Sequence, residues 1–117
     1  MGMNITIRRV YDLTYSGEGY RLLVDRVWPR GISKESLRLD EWCHEIAPTT
    51  ALRKWFAHDP ARWEEFRIKY RQELASHENI VGRLRHIAQH QPLILLYSSK
   101  DTEHNQAVVL KEWLIVG

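Results

Sequence analysis

The sequence has little cysteine and no long apolar stretch, and each absence excludes a class of protein. The only cysteine of the 117 residues is Cys43, so an internal disulfide cannot form and a disulfide-held scaffold is excluded. No run of apolar residues is long enough for a membrane-spanning helix. Residues 1–9 lack the apolar segment of a secretory signal. We therefore expect a cytoplasmic protein without membrane association.

An excess of charge is absent as well. The chain has 17 Lys and Arg residues against 15 Asp and Glu residues, a net charge of +2, and both halves are similarly balanced. The charge alone therefore gives little reason to propose nucleic-acid binding. With 44% hydrophobic and 27% charged residues, the composition is typical of a globular protein. We predict one domain over residues 1–117, long enough to bury its own core.

Hydrophobic patterning predicts a layered domain. Residues 4–10 alternate apolar and polar side chains, as a strand with one polar face does. The run Leu22–Val24 opens a strand that extends to Val27, and Leu93–Tyr97 is typical of a strand covered on both faces. Helices are predicted after the N-cap residues Ser33, Thr49, Asp59 and Asp101, and over Glu78–His90. The predicted fold class is α/β, a small single-domain layered fold with a short, mainly parallel central sheet flanked by helices.

Two connecting segments are less regular. Residues 12–19 form a polar connection with the turn residues Ser16-Gly17-Glu18-Gly19. Residues 38–48 fit either a helical stripe or a strand face, and a strand from Trp42 to Ile46 is favoured because the segment is short and Pro48 follows. The five tryptophans are expected to lie mainly in the core.

Two groups of polar and charged residues follow the two most apolar strands. The first group is Asp25, Arg26 and Arg30, and the second is Ser98, Ser99, Lys100, Asp101, His104 and Asn105. Open α/β folds bind ligands outside the carboxyl ends of their strands. If the two strands are parallel neighbours, both groups meet at one edge of the sheet. The cationic members, Arg26, Arg30, Lys100 and His104, then form a pocket with Asp25 as the lone acid.

Each group also has a purely structural interpretation. Asp25 would form an internal ion pair with one arginine and fix the loop. Asp101 would only cap the last helix, since Asp is among the best N-cap residues, and His104 and Asn105 would be surface residues of its first turn. The residues leave these alternatives open.

Other polar pairs carry weaker signals. His58 beside Asp59 has the composition of a general base, but Asp59 is more simply an N-cap. His86 and His90 have the i,i+4 spacing of metal ligands, yet no third ligand is near in the sequence, so neither a metal nor another cofactor is expected. Cys43 and His44 are adjacent on a predicted strand and would point to opposite faces, which argues against a Cys–His dyad.

The motifs together resemble one family. Val24–Gly31 (VDRVWPRG), Leu52–Phe56 (LRKWF), Leu95–Asp101 (LLYSSKD) and His104–Ala107 (HNQA) look like the YeaO-like family of uncharacterised bacterial proteins, and the resemblance covers nearly the whole chain. It implies a small cytoplasmic α/β domain and brings no settled activity. Some members carry a transcription-regulator label, but this chain has no helix-turn-helix signature with a basic recognition helix.

The expected function is binding of a small anionic or nucleotide-like ligand in the cationic pocket. If the ligand is turned over, Asp25 and His104 are the candidate catalytic acid or base; whether the protein is an enzyme stays open, as does its oligomeric state. One alternative is a nucleic-acid-associated or regulatory module that contacts phosphates through Arg83, Arg85 and His86 together with the Arg26 and Arg30 corner. Another is a protein–protein adaptor that uses exposed tryptophans.

Overall fold

Four parallel strands form the centre of the molecule. The structure, a computed structural model, describes residues 2–12 and 19–116, so most of the predicted turn at 12–19 lies outside the described residues. The strands are β1 (Ile5–Arg9), β2 (Tyr20–Leu23), β3 (Glu41–Trp42) and β4 (Leu93–Tyr97). They pair in the order β1-β4-β2-β3, and every pairing is parallel. The predicted α/β fold with a mainly parallel sheet is confirmed.

The central strand β4 contacts β1 on one side and β2 on the other. Ile5 lies opposite Leu93 in the β1 pair, and Leu22 lies opposite Leu95 in the β2 pair. The amide of Val24 donates to the carbonyl of Leu96 at 3.0 Å, which continues the ladder past β2. All five residues of β4 are buried, as its apolar run indicates. The two most apolar strands are thus parallel neighbours.

Five α-helices and three 3₁₀ turns cover this sheet in the described part of the chain. The α-helices are α1 (Lys34–Leu37), α2 (Thr50–Phe56), α3 (Trp63–Ala75), α4 (Glu78–His90) and α5 (Gln106–Val116); the 3₁₀ turns are Val10–Asp12, His44–Ile46 and Pro60–Arg62. Three predicted N-caps are confirmed, since Ser33, Thr49 and Asp59 accept hydrogen bonds from the amides of Ser36, Leu52 and Ala61. None of the described helices is long and apolar enough to cross a membrane.

The core has two parts, one on each face of the sheet. Leu22 of β2 packs with residues of α2, α3, α4 and α5, whereas the next residue, Leu23, packs with Leu37 of α1 and with Trp28 and Ile32 from the loop before it. Successive residues of a strand point to opposite faces, so the larger helices lie on one face and α1 with its loop on the other. The connections that follow β2 and β4 therefore pack on opposite faces of the sheet.

The expected strand over Trp42–Ile46 is wrong beyond Trp42. Only Glu41–Trp42 pairs with β2, and His44–Ile46 turns as a 3₁₀ helix closed by a hydrogen bond from the amide of Ile46 to the carbonyl of Cys43. The buried hydroxyl of Tyr70 donates to the carbonyl of Ile46 at 2.6 Å. That bond gives the carbonyl a partner in α3 instead of in a sheet.

Two further expectations need correction. Asp101 does not cap the last helix, because α5 begins only at Gln106; the side chain of Asn105 accepts the amide of Val108 there, at 3.2 Å. The tryptophans are not fully buried. Four of them are half-buried at the rim of the core and Trp42 is 38% exposed, because indole N–H groups need polar partners that a closed core does not offer.

Replacing Leu95 with alanine tests the central position of β4. Leu95 is fully buried between the two neighbouring strands, and we expect the variant to lose about 2–5 kcal/mol of unfolding free energy, measured by urea denaturation. Ile68→Ala is the control, because Ile68 is 56% exposed and its loss should change stability by about 0.5 kcal/mol or less. Similar losses for both variants would contradict the packing described.

Candidate functional site

The carboxyl ends of β2 and β4 lie side by side, and the chain leaves them toward opposite faces of the sheet. After β2 it enters the loop that packs Trp28 and Ile32 with Leu23, on the face of α1. After β4 it enters the loop to α5, whose Leu110 packs on the other face. Open α/β sheets bind their ligands where the connections of two neighbouring parallel strands diverge in this way.

Asp25 lies between these two connections and is only 8% exposed. Its Oδ1 accepts a hydrogen bond of 2.6 Å from Nε2 of Gln106, at the start of α5, and its backbone carbonyl accepts one of 2.7 Å from Nε1 of Trp42. Its Oδ2 is buried and accepts no hydrogen bond within the described residues. One oxygen of this carboxylate therefore lacks a donor among the described residues. Leaving a buried polar atom unpaired in this way costs roughly 1–3 kcal/mol.

Burial raises the pKa of the Asp25 carboxyl group above its ordinary value. The hydroxyl and amide of Ser98, the amide group of Gln106 and the positive charge of Arg53 oppose that rise without cancelling it. The Ser98 hydroxyl lies close to the carboxylate but outside hydrogen-bonding geometry. No arginine of the described chain is within salt-bridge distance of Asp25, so the internal ion pair left open by the sequence does not form.

Residues 98–105, after β4, form a loop held by its own hydrogen bonds. Asp101 Oδ1 accepts from the amides of Glu103 and His104, both at 2.9 Å, and the Asp101 carbonyl accepts from Nδ2 of Asn105 at 2.9 Å. The Oγ of Ser99 accepts from the Asp101 amide at 3.2 Å. The amide of Glu103, above all, lowers the pKa of Asp101. Asn105 is 2% exposed, which makes it part of the loop framework.

His104 is oriented by two neighbours. Its Nδ1 lies 2.9 Å from Oδ2 of Asp101, a distance at which a protonated Nδ1 donates to the carboxylate. Its ring meets the indole of Trp63 edge to face, with 5.2 Å between ring centroids. With Nδ1 bound to Asp101, Nε2 makes no hydrogen bond within the described residues and is available to a ligand.

Arg26, the residue after Asp25, contacts the chain just before α2. Its Nε donates to the carbonyl of Pro48 at 2.9 Å and its Nη2 to the carbonyl of Ala47 at 3.1 Å. Two of its donors are therefore used to fix backbone. Within the described residues, this guanidinium makes no hydrogen bond to the loop at 98–105.

Arg30 and Lys100 are exposed cations on the two loops that follow β2 and β4. Neither side chain makes a hydrogen bond or salt bridge within the described residues. Their loops are joined through β1, because Nε of Arg9 donates to the Ser99 carbonyl at 2.9 Å, its guanidinium lies 4.8 Å from the ring centre of Tyr11, and the Tyr11 hydroxyl donates to the Arg30 carbonyl at 2.7 Å.

Two residues that the sequence patterns do not single out act on Asp25. The side-chain amide of Gln106 donates to its carboxylate, and the charge of Arg53 lowers the pKa of its carboxyl group. Both stand far from Asp25 in the chain. The only signal for them was their place in the LRKWF and HNQA motifs of the family resemblance.

The other candidate residues are buried or make structural contacts. Among the described residues, no group of three or more His, Cys, Asp and Glu side chains is placed to hold a metal ion. His90 uses its Nδ1 on the carbonyl of His86, 2.8 Å away. Asp59 caps the turn before α3. Cys43 is buried, and burial raises the pKa of its thiol, which makes it less reactive.

Comparison of the sequence with known proteins identifies its family. Residues 4–116 match the family model described as the inactive DUF488-N3 subclade. The chain belongs to this family. It is 54% identical over 112 residues to the uncharacterized protein YeaO of Escherichia coli K12, covering 96% of this chain and 97% of that one. It is 33% identical over 111 residues to the uncharacterized protein Rv3073c of Mycobacterium tuberculosis H37Rv, covering 94% of this chain and 92% of that one.

The YeaO-like resemblance read from the motifs is thereby confirmed. No solved structure matches the chain significantly. The relatives are described as uncharacterized, so the family membership carries no function of its own.

The stability of Asp25→Asn as a function of pH tests the burial of this carboxyl group. Because its pKa is higher in the native state than in the unfolded chain, the unfolded chain binds fewer protons in the window between the two pKa values. Native stability therefore falls as pH rises through that window. We expect Asp25→Asn to gain stability relative to the unmodified protein as the pH rises, measured by urea denaturation from about pH 4 to 8.

Asp101→Asn is the matched control for this measurement. The pKa of Asp101 is lowered in the native state, so its charge stabilises the fold above the unfolded pKa, and that stability is lost as pH falls through the native pKa. Asp101→Asn should therefore lose stability relative to the unmodified protein as the pH rises. The same direction of change for both variants would contradict the assignment.

Proposed function

We propose that the protein binds a small anionic or nucleotide-like ligand in the crevice between the carboxyl ends of β2 and β4. The observation that carries this proposal is the divergence of the two connections around a buried carboxyl group, Asp25, with one unpaired oxygen. Such crevices are the usual ligand sites of open α/β sheets. The cytoplasmic location expected from the sequence belongs to the same proposal.

Exposed cations on the rim support an anionic ligand. Arg30 and Lys100 stand on the loops that leave β2 and β4, and neither is neutralised by a described partner. The positive charge of Arg53 lowers the pKa of the Asp25 carboxyl group. Ser98 and Ser99 place hydroxyl groups in the loop after β4. A guanidinium fork, an ammonium group and hydroxyls are the groups with which proteins bind phosphate and carboxylate.

Binding without turnover has more support than catalysis. The family is described as an inactive subclade, and the two acid or base candidates already have internal partners. Asp25 holds Gln106, and His104 is bound to Asp101. In this proposal both side chains position a ligand, and neither needs to transfer a proton.

A nucleic-acid-binding function has less support, because its candidate arginines are engaged elsewhere. Arg83 forms a two-pronged salt bridge with Glu41, at 2.8 and 2.7 Å. Arg85 donates to the carbonyls of Leu114 and Trp113. With Arg26 also bound to backbone, few of these cations remain to contact the phosphates of a nucleic acid.

Phosphate titration followed by amide NMR tests the proposal. We expect inorganic phosphate to shift the amide signals of residues 98–105, with weaker binding at higher salt. Arg30→Ala and Lys100→Ala should each weaken phosphate binding roughly threefold, because exposed ion pairs contribute about 0.2–1 kcal/mol each.

Lys34→Ala is the control for this titration, since it removes an exposed positive charge from α1 and should leave phosphate affinity unchanged. Phosphate that binds equally weakly to the unmodified protein and to the Arg30→Ala and Lys100→Ala double variant would refute the proposal.

A further inference from the structure

The sheet ends at β1 in an edge with free backbone groups. β1 has five residues and pairs on one side only, with β4. Because the amide of Leu93 donates to the carbonyl of Asn4, the even-numbered residues of β1 bond to β4 in the parallel ladder. The N–H and C=O groups of Ile5, Ile7 and Arg9 therefore point away from β4. None of these outward groups has a backbone partner in the part of the chain that the structure describes.

This edge lacks the features that usually prevent the addition of a strand. Proteins protect sheet edges with short strands, prolines and bulges, and β1 is neither short nor interrupted by a proline or glycine. Ile5, Thr6 and Ile7 are β-branched, the side-chain type that strands favour. The opposite edge, β3, has only two residues. Of the two edges of the sheet, β1 is therefore the one able to accept another strand.

The charges of β1 determine the direction in which a copy of itself can pair. Arg8 and Arg9 both lie at its carboxyl end. A parallel copy in register would place each arginine opposite itself, and like charges directly opposite each other destabilise a sheet. An antiparallel copy centred on Ile7 places Arg8 opposite Thr6 and Arg9 opposite Ile5. In that register the outward-pointing residues form hydrogen-bonded pairs, each of which exchanges two bonds, so every outward group of both strands gains a partner.

Helix α5 lies over the same edge. It contacts both β1 and β4, whereas α4 extends toward the opposite edge, where its Arg83 forms a salt bridge with Glu41 of β3. The two-fold axis of an antiparallel strand pair is perpendicular to the sheet, so both copies of α5 lie on one face. Since paired strands are about 4.8 Å apart, a helix lying between β1 and β4 would be about 10 Å from its copy across the joined edge. Helices pack together at this spacing.

The outer side of α5 suits such a contact. Val108, Lys111 and Ile115 recur at helical spacing and form a stripe away from the buried residues of the helix. Ile115 is 51% exposed. The neighbouring side of α5 faces α3, where Arg67 binds Glu112 at 3.2 Å, so α3 does not cover the stripe. When the stripe packs antiparallel against its own copy about Lys111, Val108 meets Ile115, and the long side chain of Lys111 reaches solvent.

We propose that two copies of this chain associate through antiparallel pairing of their β1 strands about Ile7, with each α5 packed against the other. The two four-stranded sheets then form one continuous sheet. The occupant of the edge is a second copy because a single two-fold axis separates the arginines, pairs the outward backbone groups and brings the helices to packing distance. This association is independent of the proposed anion binding.

Sedimentation velocity of the full chain over about 1–100 µM tests the association. We expect a dimer at the upper concentrations. Ile115→Lys should weaken the dimer at least about tenfold, because it places a charge in an apolar contact. Ile68→Lys makes the same change at a position of α3 that is 56% exposed and should leave the dimer unchanged. A monomer at all concentrations, or equal weakening by both variants, would overturn the proposal.

Engineered cysteines test the register of the strands. The single native cysteine, Cys43, is buried, so it does not compete. In the proposed register the two Ile7 residues are opposite each other with about 5.5 Å between their Cα atoms, within the range of a disulfide. Ile7→Cys should therefore form a disulfide-linked dimer on mild oxidation. Thr6→Cys is the control, because Thr6 is more exposed but lies about 8 Å from its copy, beyond disulfide reach. Equal cross-linking of both variants would contradict the register.

Hydrogen exchange of the unmodified protein gives a readout that does not depend on any substitution. The amides of Ile5, Ile7 and Arg9 should exchange more slowly as the protein concentration rises, because they become bonded in the dimer. The amides of Thr6 and Arg8, which bond to β4, should be protected at every concentration. Rapid exchange of the three outward amides in a solution that contains dimer would show that another surface forms it, and the proposal would fail.

Discussion

The parallel pairing of β2 with β4 is the constraint on which the rest of the structure depends. It places the carboxyl ends of both strands at one edge of the sheet, although residues 24–92 lie between the two strands in the chain. The chain then leaves β2 toward one face and β4 toward the other, so the two connections diverge at this edge. Asp25 and Gln106 join across it, which ties the two connections together.

Several arginines of this protein stabilise backbone. Arg9, Arg21, Arg26 and Arg85 all donate to main-chain carbonyls of loops and helix ends. Carbonyls at such ends have no partner within their own element, and a fixed guanidinium fork supplies several donors at once. Arg30 and Lys100 have no such contact among the described residues, and they lie on the loops that follow β2 and β4.

The fold could be predicted from the sequence largely because its local signals agree with the tertiary structure. The bounds of β4 and α4 follow from an apolar run and a helical period, and the caps at Ser33, Thr49 and Asp59 follow from residue type. The segment at 42–46 could not be settled, since the bond from Tyr70 that turns it comes from a helix farther along the chain.

The candidate site could be located but not assembled from the sequence. The position of Asp25 and of the loop at 98–105 follows from where the apolar runs end. What each side chain contacts depends on packing between distant elements. Arg26 turned to the carbonyls before α2, Asp101 closed a turn instead of capping α5, and Gln106 became the partner of Asp25. Patterns of residue type carry no information about such long-range contacts.

The brevity of β3 has a consequence for association between molecules. With only two residues, this edge of the sheet offers too few free amides and carbonyls to template an added strand, and the Arg83–Glu41 salt bridge anchors it to α4. Exposed sheet edges invite addition of foreign strands, and short, charged ones discourage it. The short length of β3 therefore disfavours edge-to-edge aggregation on that side of the sheet.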